Sequence, residues 1–143
     1  MKTKGHLIIL IFTFLSAILL LGACTNYNKK LEGNWVIDKV YYVKNIRSYN
    51  LLTNSFELYP DHTCFLPGLG IADRHTVIEK GMWNTFERND TVFLQIKTAN
   101  PFFDRVFKIS NYRDTKDPVS FGILTKVTMA SDSLTLDCTQ AKF

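Results

Sequence analysis

Apolar and polar positions alternate along most of the chain after residue 33, in short segments with a period of two. This period is typical of β-strands that bury one face and expose the other. In the segment 91–98, for example, Val92, Leu94 and Ile96 share one face. No stretch longer than about a dozen residues keeps the period of a helix. The pattern therefore predicts an all-β domain.

About eight such segments follow one another, separated by short groups of turn residues. They are 34–44, 55–59, 63–67, 80–87, 91–98, 103–109, 119–129 and 133–138. Short connections join neighbouring antiparallel strands, so this order predicts a meander. Eight strands can close into a small barrel that leaves no free edge, and a two-sheet sandwich is the alternative.

Two polar segments, 45–54 and 111–118, lack the alternation, and we predict loops there. In the first strand we expect four apolar residues on one face: Trp35, Ile37, Tyr41 and Val43. The last strand is expected to place Leu134, Leu136 and Cys138 inside.

Aromatic residues make up 13% of the chain, and five of them fall where a barrel interior or a ligand pocket would lie. They are Trp35, Trp83, Phe93, Phe107 and Phe121. Two roles remain open for them. They line a pocket for a flat or apolar ligand, or they fill the core, since an eight-stranded barrel is only just wide enough for side chains.

The beginning of the chain has a different pattern. Lys2 and Lys4 precede an apolar run over residues 7–23 that only Thr13, Ser16 and Gly22 interrupt. A basic segment followed by an apolar one is typical of an export signal, and a spanning helix needs about 20 apolar residues. The run is therefore marginal as a membrane span, and an uncleaved anchor helix is the alternative to a cleaved signal.

The residues that end this run are Leu21-Gly22-Ala23-Cys24. They resemble the lipobox of bacterial lipoproteins, in which the cysteine takes a diacylglycerol and becomes the new N-terminus. The resemblance implies a signal peptide over 1–23, a lipidated tether over 24–32 and a barrel domain over 33–143. Two or three acyl chains would anchor the domain stably, whereas one chain binds only marginally.

Charge and composition narrow the function further. The net charge is +4, and removal of Lys2 and Lys4 with the signal would leave about +2. The remaining basic residues are scattered, so neither a nucleic-acid-binding stripe nor a stacking module is indicated. Cys64 and Cys138 lie in β-like segments, and an oxidising compartment permits, without requiring, a disulfide between them.

Motifs for chemistry are missing from the sequence. It contains no H-x-H, H-E-x-x-H, C-x-x-C or G-x-S-x-G pattern, and His62 and His75 fall in a turn and a loop. Gly68-Leu69-Gly70 precedes no helix that could hold a phosphate. We therefore expect no metal, no cofactor and no enzymatic activity.

Gly33-Asn34-Trp35 begins the first strand, and a second Gly-x-Trp occurs at 81–83. The first resembles the G-x-W pattern that opens lipocalin barrels, where the tryptophan plugs the closed end. The order of pieces resembles the small lipocalin-like lipoproteins of the Bacteroides group. The matching pieces are 31–35, the hairpin 56–65 built on Pro60-Asp61, 81–83 with 90–94, and 131–136.

This resemblance implies a lipid-anchored protein of the bacterial envelope. The residues after Cys24 contain no acidic cluster, which favours a periplasm-facing protein, on the outer membrane in preference to the inner. One functional hypothesis is non-enzymatic binding of a small hydrophobic ligand, which needs a cavity of at least about 300 Å³. The alternative is an interaction or inhibitor module with a filled core that contacts an envelope protein through its loops.

Replacing Cys24 by Ala tests the lipobox. The thiol is the group that would be acylated, so the variant should lose metabolic labelling with palmitate and should accumulate as the unprocessed precursor. Electrophoresis and autoradiography of both proteins measure this. Continued labelling of Cys24→Ala would show that the lipobox interpretation is wrong.

Overall fold

Eight strands and one short helix make up the described part of the computed structural model, residues 25–42, 51–70, 78–117, 119 and 122–142. The elements are α1 (Thr25–Leu31), β1 (Gly33–Tyr42), β2 (Ser55–Leu58), β3 (Thr63–Pro67), β4 (Ile78–Arg88), β5 (Thr91–Thr98), β6 (Arg105–Lys116), β7 (Ile123–Ala130) and β8 (Leu134–Lys142).

The strands form a closed antiparallel barrel. Each strand pairs with the next along the chain, and β1 also pairs with β8. Closure satisfies the main-chain donors and acceptors of both edge strands, which would otherwise be exposed. The predicted all-β meander and its closure into a barrel are therefore confirmed, and the two-sheet sandwich is not formed.

Inward and outward residues alternate along the strands, and the inward side chains fill the barrel interior. In β5 the buried residues are Val92, Leu94 and Ile96, and in β8 they are Leu134, Leu136, Cys138 and Gln140. The largest buried side chains of the interior come from several strands and from the β5–β6 turn: Trp35, Trp83, Phe102, Phe103 and Phe107. They form one cluster, which is the core of the protein.

A β-bulge in β1 changes the expected face of its second half. The register against β8 shifts between Ile37 and Lys39, which inserts one extra residue and reverses the alternation. Trp35 and Ile37 lie inside as predicted, whereas Tyr41 lies on the outer face and is half exposed. The interior position predicted for Tyr41 is wrong for this reason, and Val43 lies outside the described residues.

The loop predicted over 111–118 is mostly strand. β6 continues to Lys116, and Arg113 and Thr115 pair with β7 across a second bulge near Asn111, whose φ is +54°. Main-chain pairing with β7 holds this segment, while its charged side chains lie in solvent. Because both faces of this part of β6 are polar, its residues do not alternate between apolar and polar, and the sequence pattern resembles that of a loop.

Helix α1 covers the end of the barrel where β1 begins, which we call the α1 end. Leu31 is buried in the core, and its carbonyl accepts a hydrogen bond of 2.7 Å from the indole N–H of Trp35. Asn28 accepts hydrogen bonds from the backbone N–H and the hydroxyl of Thr85 on β4. Residues 25–31, within the segment expected to be a tether, thus form a helix that packs on the barrel.

The glycines of the two Gly-x-Trp triplets are required for different structural reasons. Gly33 has a φ of +112°, which side chains rarely adopt, and the amide of Gln140 occupies the space that a Cβ would need. That amide donates to the Glu32 carbonyl at 2.7 Å. Gly81 instead lets β4 approach Lys97 on β5, whose carbonyl would lie 2.9 Å from an added Cβ.

A buried asparagine organises the opposite end of the barrel. The Asn100 side chain donates to the Pro67 carbonyl at 2.9 Å and accepts from the Phe102 N–H at 3.0 Å. These bonds hold the β5–β6 turn so that Phe102 and Phe103 enter the core, in contact with each other. Side chains therefore occupy both ends of the barrel.

Replacing Trp35 by Phe should lower the free energy of unfolding by about 1–3 kcal/mol, because the buried Leu31 carbonyl loses its donor. Urea unfolding followed by circular dichroism measures the change. Tyr41→Phe, on the exposed face of the same strand, is the control and should change stability by less than about 0.5 kcal/mol. Equal stabilities of the two variants would contradict the role given to this hydrogen bond.

Candidate functional site

A pocket of about 330 Å³ lies at the α1 end, between the helix, the β4–β5 turn and β6. We call it the α1 pocket. It is lined by Tyr27, Lys30, Leu31, Asp90, Thr91, Val92, Lys108, Ile109 and Tyr112. Its volume is at the lower end of the range of about 300–1,000 Å³ that ligand sites occupy.

The floor of the α1 pocket is apolar. Leu31 and Val92 are buried members of the barrel interior, and Ile109 packs against the core. These three side chains present aliphatic surface to the pocket, so an apolar ligand segment would lose contact with water there.

The rim of the pocket is aromatic and carries a net positive charge, since the two lysines Lys30 and Lys108 outnumber the one acid, Asp90. The Lys30 ammonium lies 4.9 Å from the ring centre of Tyr27 and 5.8 Å from that of Tyr112. Lys108, which is exposed, lines the pocket from β6. Contact with two ring faces orients Lys30, so the rim can present positive charge to an anionic group.

Burial, aided by the charge of Asp114, raises the pKa of the Tyr112 phenol. The phenol therefore remains protonated at neutral pH and can donate a hydrogen bond. It donates one, at 3.5 Å, to the Lys30 carbonyl on α1. Tyr112 thus connects β6 to the helix beside the pocket.

The turn between β4 and β5 completes the mouth of the pocket. Asn89 and Asp90 have φ values of +50° and +56°, so both central residues of this two-residue hairpin turn are left-handed. Such a turn matches the twist of the strands, and Asn and Asp tolerate the conformation well. The local sequence thereby places Asp90 and Thr91 at the pocket mouth.

The five aromatic residues proposed from the sequence fall into three groups. Trp35, Trp83 and Phe107 are buried in the interior as part of the packed core. Phe93 lies on the outer face of β5, where it stacks on Phe86 with ring centres 5.2 Å apart. Its expected interior position is therefore corrected, because its neighbours in the alternation, Val92 and Leu94, point inward.

Phe121 and Cys24 lie outside the described residues.

The sequence interpretation also missed most of the side chains that line the α1 pocket. Tyr27 and Lys30 are three residues apart, which places them on one side of a helix. This signal was present in the sequence, but a helix of seven residues is too short for a periodicity window to detect.

A larger groove of about 890 Å³ crosses the outer wall over β6, β7, β8 and β1. Its polar side chains bind one another. Thr139 donates to Asp38 at 2.5 Å, and Thr128 donates to Asp137 at 2.8 Å. The exposed side chains of the groove are therefore polar, while Leu124, Val127 and Cys138 line its deeper part.

Within the described ranges, no three His, Cys, Asp or Glu side chains lie close enough together to hold a metal ion. His62 has a φ of +67° in the β2–β3 turn, and its ring packs on Trp83 at 5.6 Å between centres. The indole N–H of Trp83 donates to the Tyr59 carbonyl in the same turn at 2.9 Å. His62 is thus a turn residue, as the sequence indicates, and His75 lies outside the described part.

Cys64 and Cys138 are both buried and both free thiols. The disulfide that the sequence left open is not formed. Burial raises the pKa of the Cys64 thiol from its ordinary value of 9.0 to about 11. Burial, together with the charges of Asp38 and Asp137, also raises the pKa of Cys138.

Over the described residues, no helix has the length and hydropathy needed to cross a membrane. Comparison of the chain with protein-family models, with curated proteins and with solved structures finds no match.

The raised thiol pKa values predict alkaline destabilisation. Above about pH 9 the unfolded chain loses its thiol protons, whereas folded Cys64 keeps its proton up to about pH 11. The free energy of unfolding should therefore fall as the pH rises through this interval.

Urea titrations at about pH 8 and about pH 10.5 measure the fall. A variant with Cys64→Ala and Cys138→Ala should show a smaller fall than the native chain, since only tyrosines and lysines then titrate. The same fall in both proteins would mean that the thiols do not carry the effect.

Proposed function

We propose that this chain is a lipid-anchored lipoprotein of the bacterial envelope, with a lipocalin-like barrel that binds a small amphiphile without chemical change. The closed eight-stranded meander and the tryptophan at the start of β1 support the lipocalin-like part. The lipobox-like residues ending in Cys24 support the anchor. The proposed location is the periplasmic side of the envelope, on the outer membrane.

The observation that carries the binding proposal is the α1 pocket. Its floor of Leu31, Val92 and Ile109 suits an apolar tail, and its rim carries the ammonium groups of Lys30 and Lys108. A ligand with a short hydrocarbon tail and an anionic head, such as a carboxylate, matches both parts. The pocket volume favours a small ligand over a long-chain lipid.

Because the barrel interior is filled with side chains, a ligand site at the end of the barrel is favoured over one in its centre. Trp35, Trp83 and Phe107 fill the interior together with the aliphatic side chains of the other strands. A ligand in the centre would have to displace these side chains, and each cavity so opened would cost several kcal/mol of packing, by order of magnitude. The pocket beside α1 needs no such displacement.

The alternative function is a protein-interaction or inhibitor module. The filled interior and the polar groove across β6, β7, β8 and β1 favour it, because charged side chains such as Arg113 and Lys126 line an open concave wall. This alternative assigns the groove, not the α1 pocket, to the function. It predicts that small amphiphiles do not saturate the protein.

Titration of residues 25–143 with decanoate tests the binding proposal. These residues include the helix and the strands that close the barrel. Trp35 reports on the site, since its indole bonds to Leu31 in the pocket floor. We expect saturable quenching of tryptophan fluorescence by decanoate, weaker binding of decanol and no binding of decyltrimethylammonium.

Matched lysine variants locate the site. Lys30→Met and Lys108→Met should each weaken decanoate binding by roughly fivefold, since an exposed ion pair contributes up to about 1 kcal/mol. Lys97→Met, an exposed lysine elsewhere on the wall, should leave the affinity unchanged. A flat titration with all three amphiphiles would reject the binder and favour the interaction module.

A further inference from the structure

We infer that the α1 end of the barrel rests directly on the surface of an anionic phospholipid bilayer. The inference relies on the proposed acylation of Cys24 and adds to it the orientation of the domain and the surface that contacts lipid. Three observations carry it: the shortness of the connection, the charge beside the helix, and exposed apolar side chains at the tips of two hairpins.

The connection between Cys24 and the folded domain is short. Helix α1 begins at Thr25, the next residue, and Asn28 is bonded to Thr85 on β4. Four residues span at most about 14 Å even when fully extended. An acylated Cys24 would therefore hold the α1 end within that distance of the lipid.

The barrel is long compared with this reach. The 12 residues of β6 extend about 40 Å at roughly 3.3 Å per residue. The connection allows the barrel to stand upright or to lie on its side, and only the upright orientation holds the opposite end, with the Ser131–Ser133 turn between β7 and β8, away from the lipid. The short connection limits the domain to orientations that bring the α1 end to the membrane.

Basic side chains lie on the helix and beside it. Lys29 and Lys30 are exposed on α1, and Arg88 and Lys108 are exposed on the neighbouring strands. The acids at this end lie just after the helix and at the tips of the β2–β3 and β4–β5 hairpins: Glu32, Glu57, Asp61, Glu87 and Asp90. The tip of the β6–β7 hairpin adds two basic residues, Arg113 and Lys116, and two acids, Asp114 and Asp117. Each basic residue near an anionic lipid surface contributes about 1 kcal/mol of attraction. The local group of Lys30 and Lys108 at the α1 pocket, with Lys29 next to Lys30 on the helix, therefore favours contact with anionic headgroups on this side of α1.

Apolar side chains are exposed at the tips of the two hairpins that flank α1. Near the β4–β5 turn, Phe86 and Phe93 stack on the outer wall, and Phe86 is 37% exposed. At the β6–β7 connection, Val119 is 84% exposed and Ile123 is 45% exposed. Apolar side chains that enter the interface between headgroups and acyl chains become shielded from water. A bilayer in contact with the α1 end would shield both tips, while Tyr41, Leu52 and Ile78, which are exposed at the opposite end, would stay in water.

The experiment compares lysines within one protein. The mature full-length chain, purified from membranes after palmitate labelling, is reconstituted into vesicles of phosphatidylcholine with phosphatidylglycerol and, separately, of phosphatidylcholine alone. An amine-reactive acetylating reagent then modifies the exposed lysines, and mass spectrometry gives the rate at each. Lys29, Lys30 and Lys108 report on the α1 end, whereas exposed Lys80 and Lys97 lie farther from it.

We expect the modification rate at Lys29 and Lys30, relative to that at Lys97, to fall by roughly fivefold in the vesicles with phosphatidylglycerol, because headgroup contact shields these amines. The protein in detergent gives the reference ratio. A smaller fall in phosphatidylcholine vesicles is expected, since the anchor alone holds the end there.

A variant with a ten-residue Gly-Ser insertion between Cys24 and Thr25 is the matched control. The insertion adds a mean reach of about 17 Å and leaves the barrel residues unchanged. It should keep the palmitate label and lose most of the protection in phosphatidylcholine vesicles.

The outcomes separate the two proposals. A palmitate-labelled chain whose lysines react alike at both ends would overturn the orientation and leave the anchor intact. A chain without label would reject the anchor and the orientation with it. Protection confined to the α1 end and relieved by the insertion would support both.

Discussion

Pairing of β1 with β8 is the constraint on which the rest of the molecule depends. It closes the sheet, and with eight strands the closed interior is only just wide enough for one layer of side chains. The inward-facing residues of the strands, such as Trp35, Leu94 and Phe107, fill that space and are fully buried. Closure therefore produces the stable core and at the same time removes room for a central ligand.

The ends of the barrel then decide what the protein can bind. Phe102 and Phe103 occupy one end, held there by hydrogen bonds of the buried Asn100. At the other end, α1 lies across the opening, bonded to Trp35 and Thr85, and leaves a pocket between itself and β6. Accessible apolar surface with nearby cations is thus found beside the helix and not within the barrel.

The proposed function and the proposed orientation meet at this end. A helix that begins one residue after Cys24 would bring the α1 pocket close to the lipid in which an amphiphile dissolves. Lys30 would then serve two roles, since it lines the pocket and belongs to the basic surface around the helix. The two roles are separable in the molecule, because Arg88 and Lys29 belong only to the surface and the pocket floor of Leu31 and Val92 belongs only to the pocket.

Local alternation in the sequence was sufficient to predict the all-β class, the order of the strands and most of the inward residues, because burial of one face imposes a period of two. It placed Leu94, Leu136 and Cys138 correctly. It failed at Tyr41, where a bulge reverses the faces, and over 111–116, where main-chain pairing with β7 maintains a strand with two polar faces.

The sequence by itself determined the strand pattern and the identity of the lipobox-like cysteine, since both are written in consecutive residues. The tertiary structure decided between the closed barrel and the sandwich that the sequence left as an alternative, and it alone decided the filling of the interior and the position of the α1 pocket. The pocket joins Tyr27, Val92 and Tyr112, which are far apart along the chain. Such a site exists only after β1 and β8 have paired and the helix has folded over the open end, because no local pattern records which distant residues become neighbours.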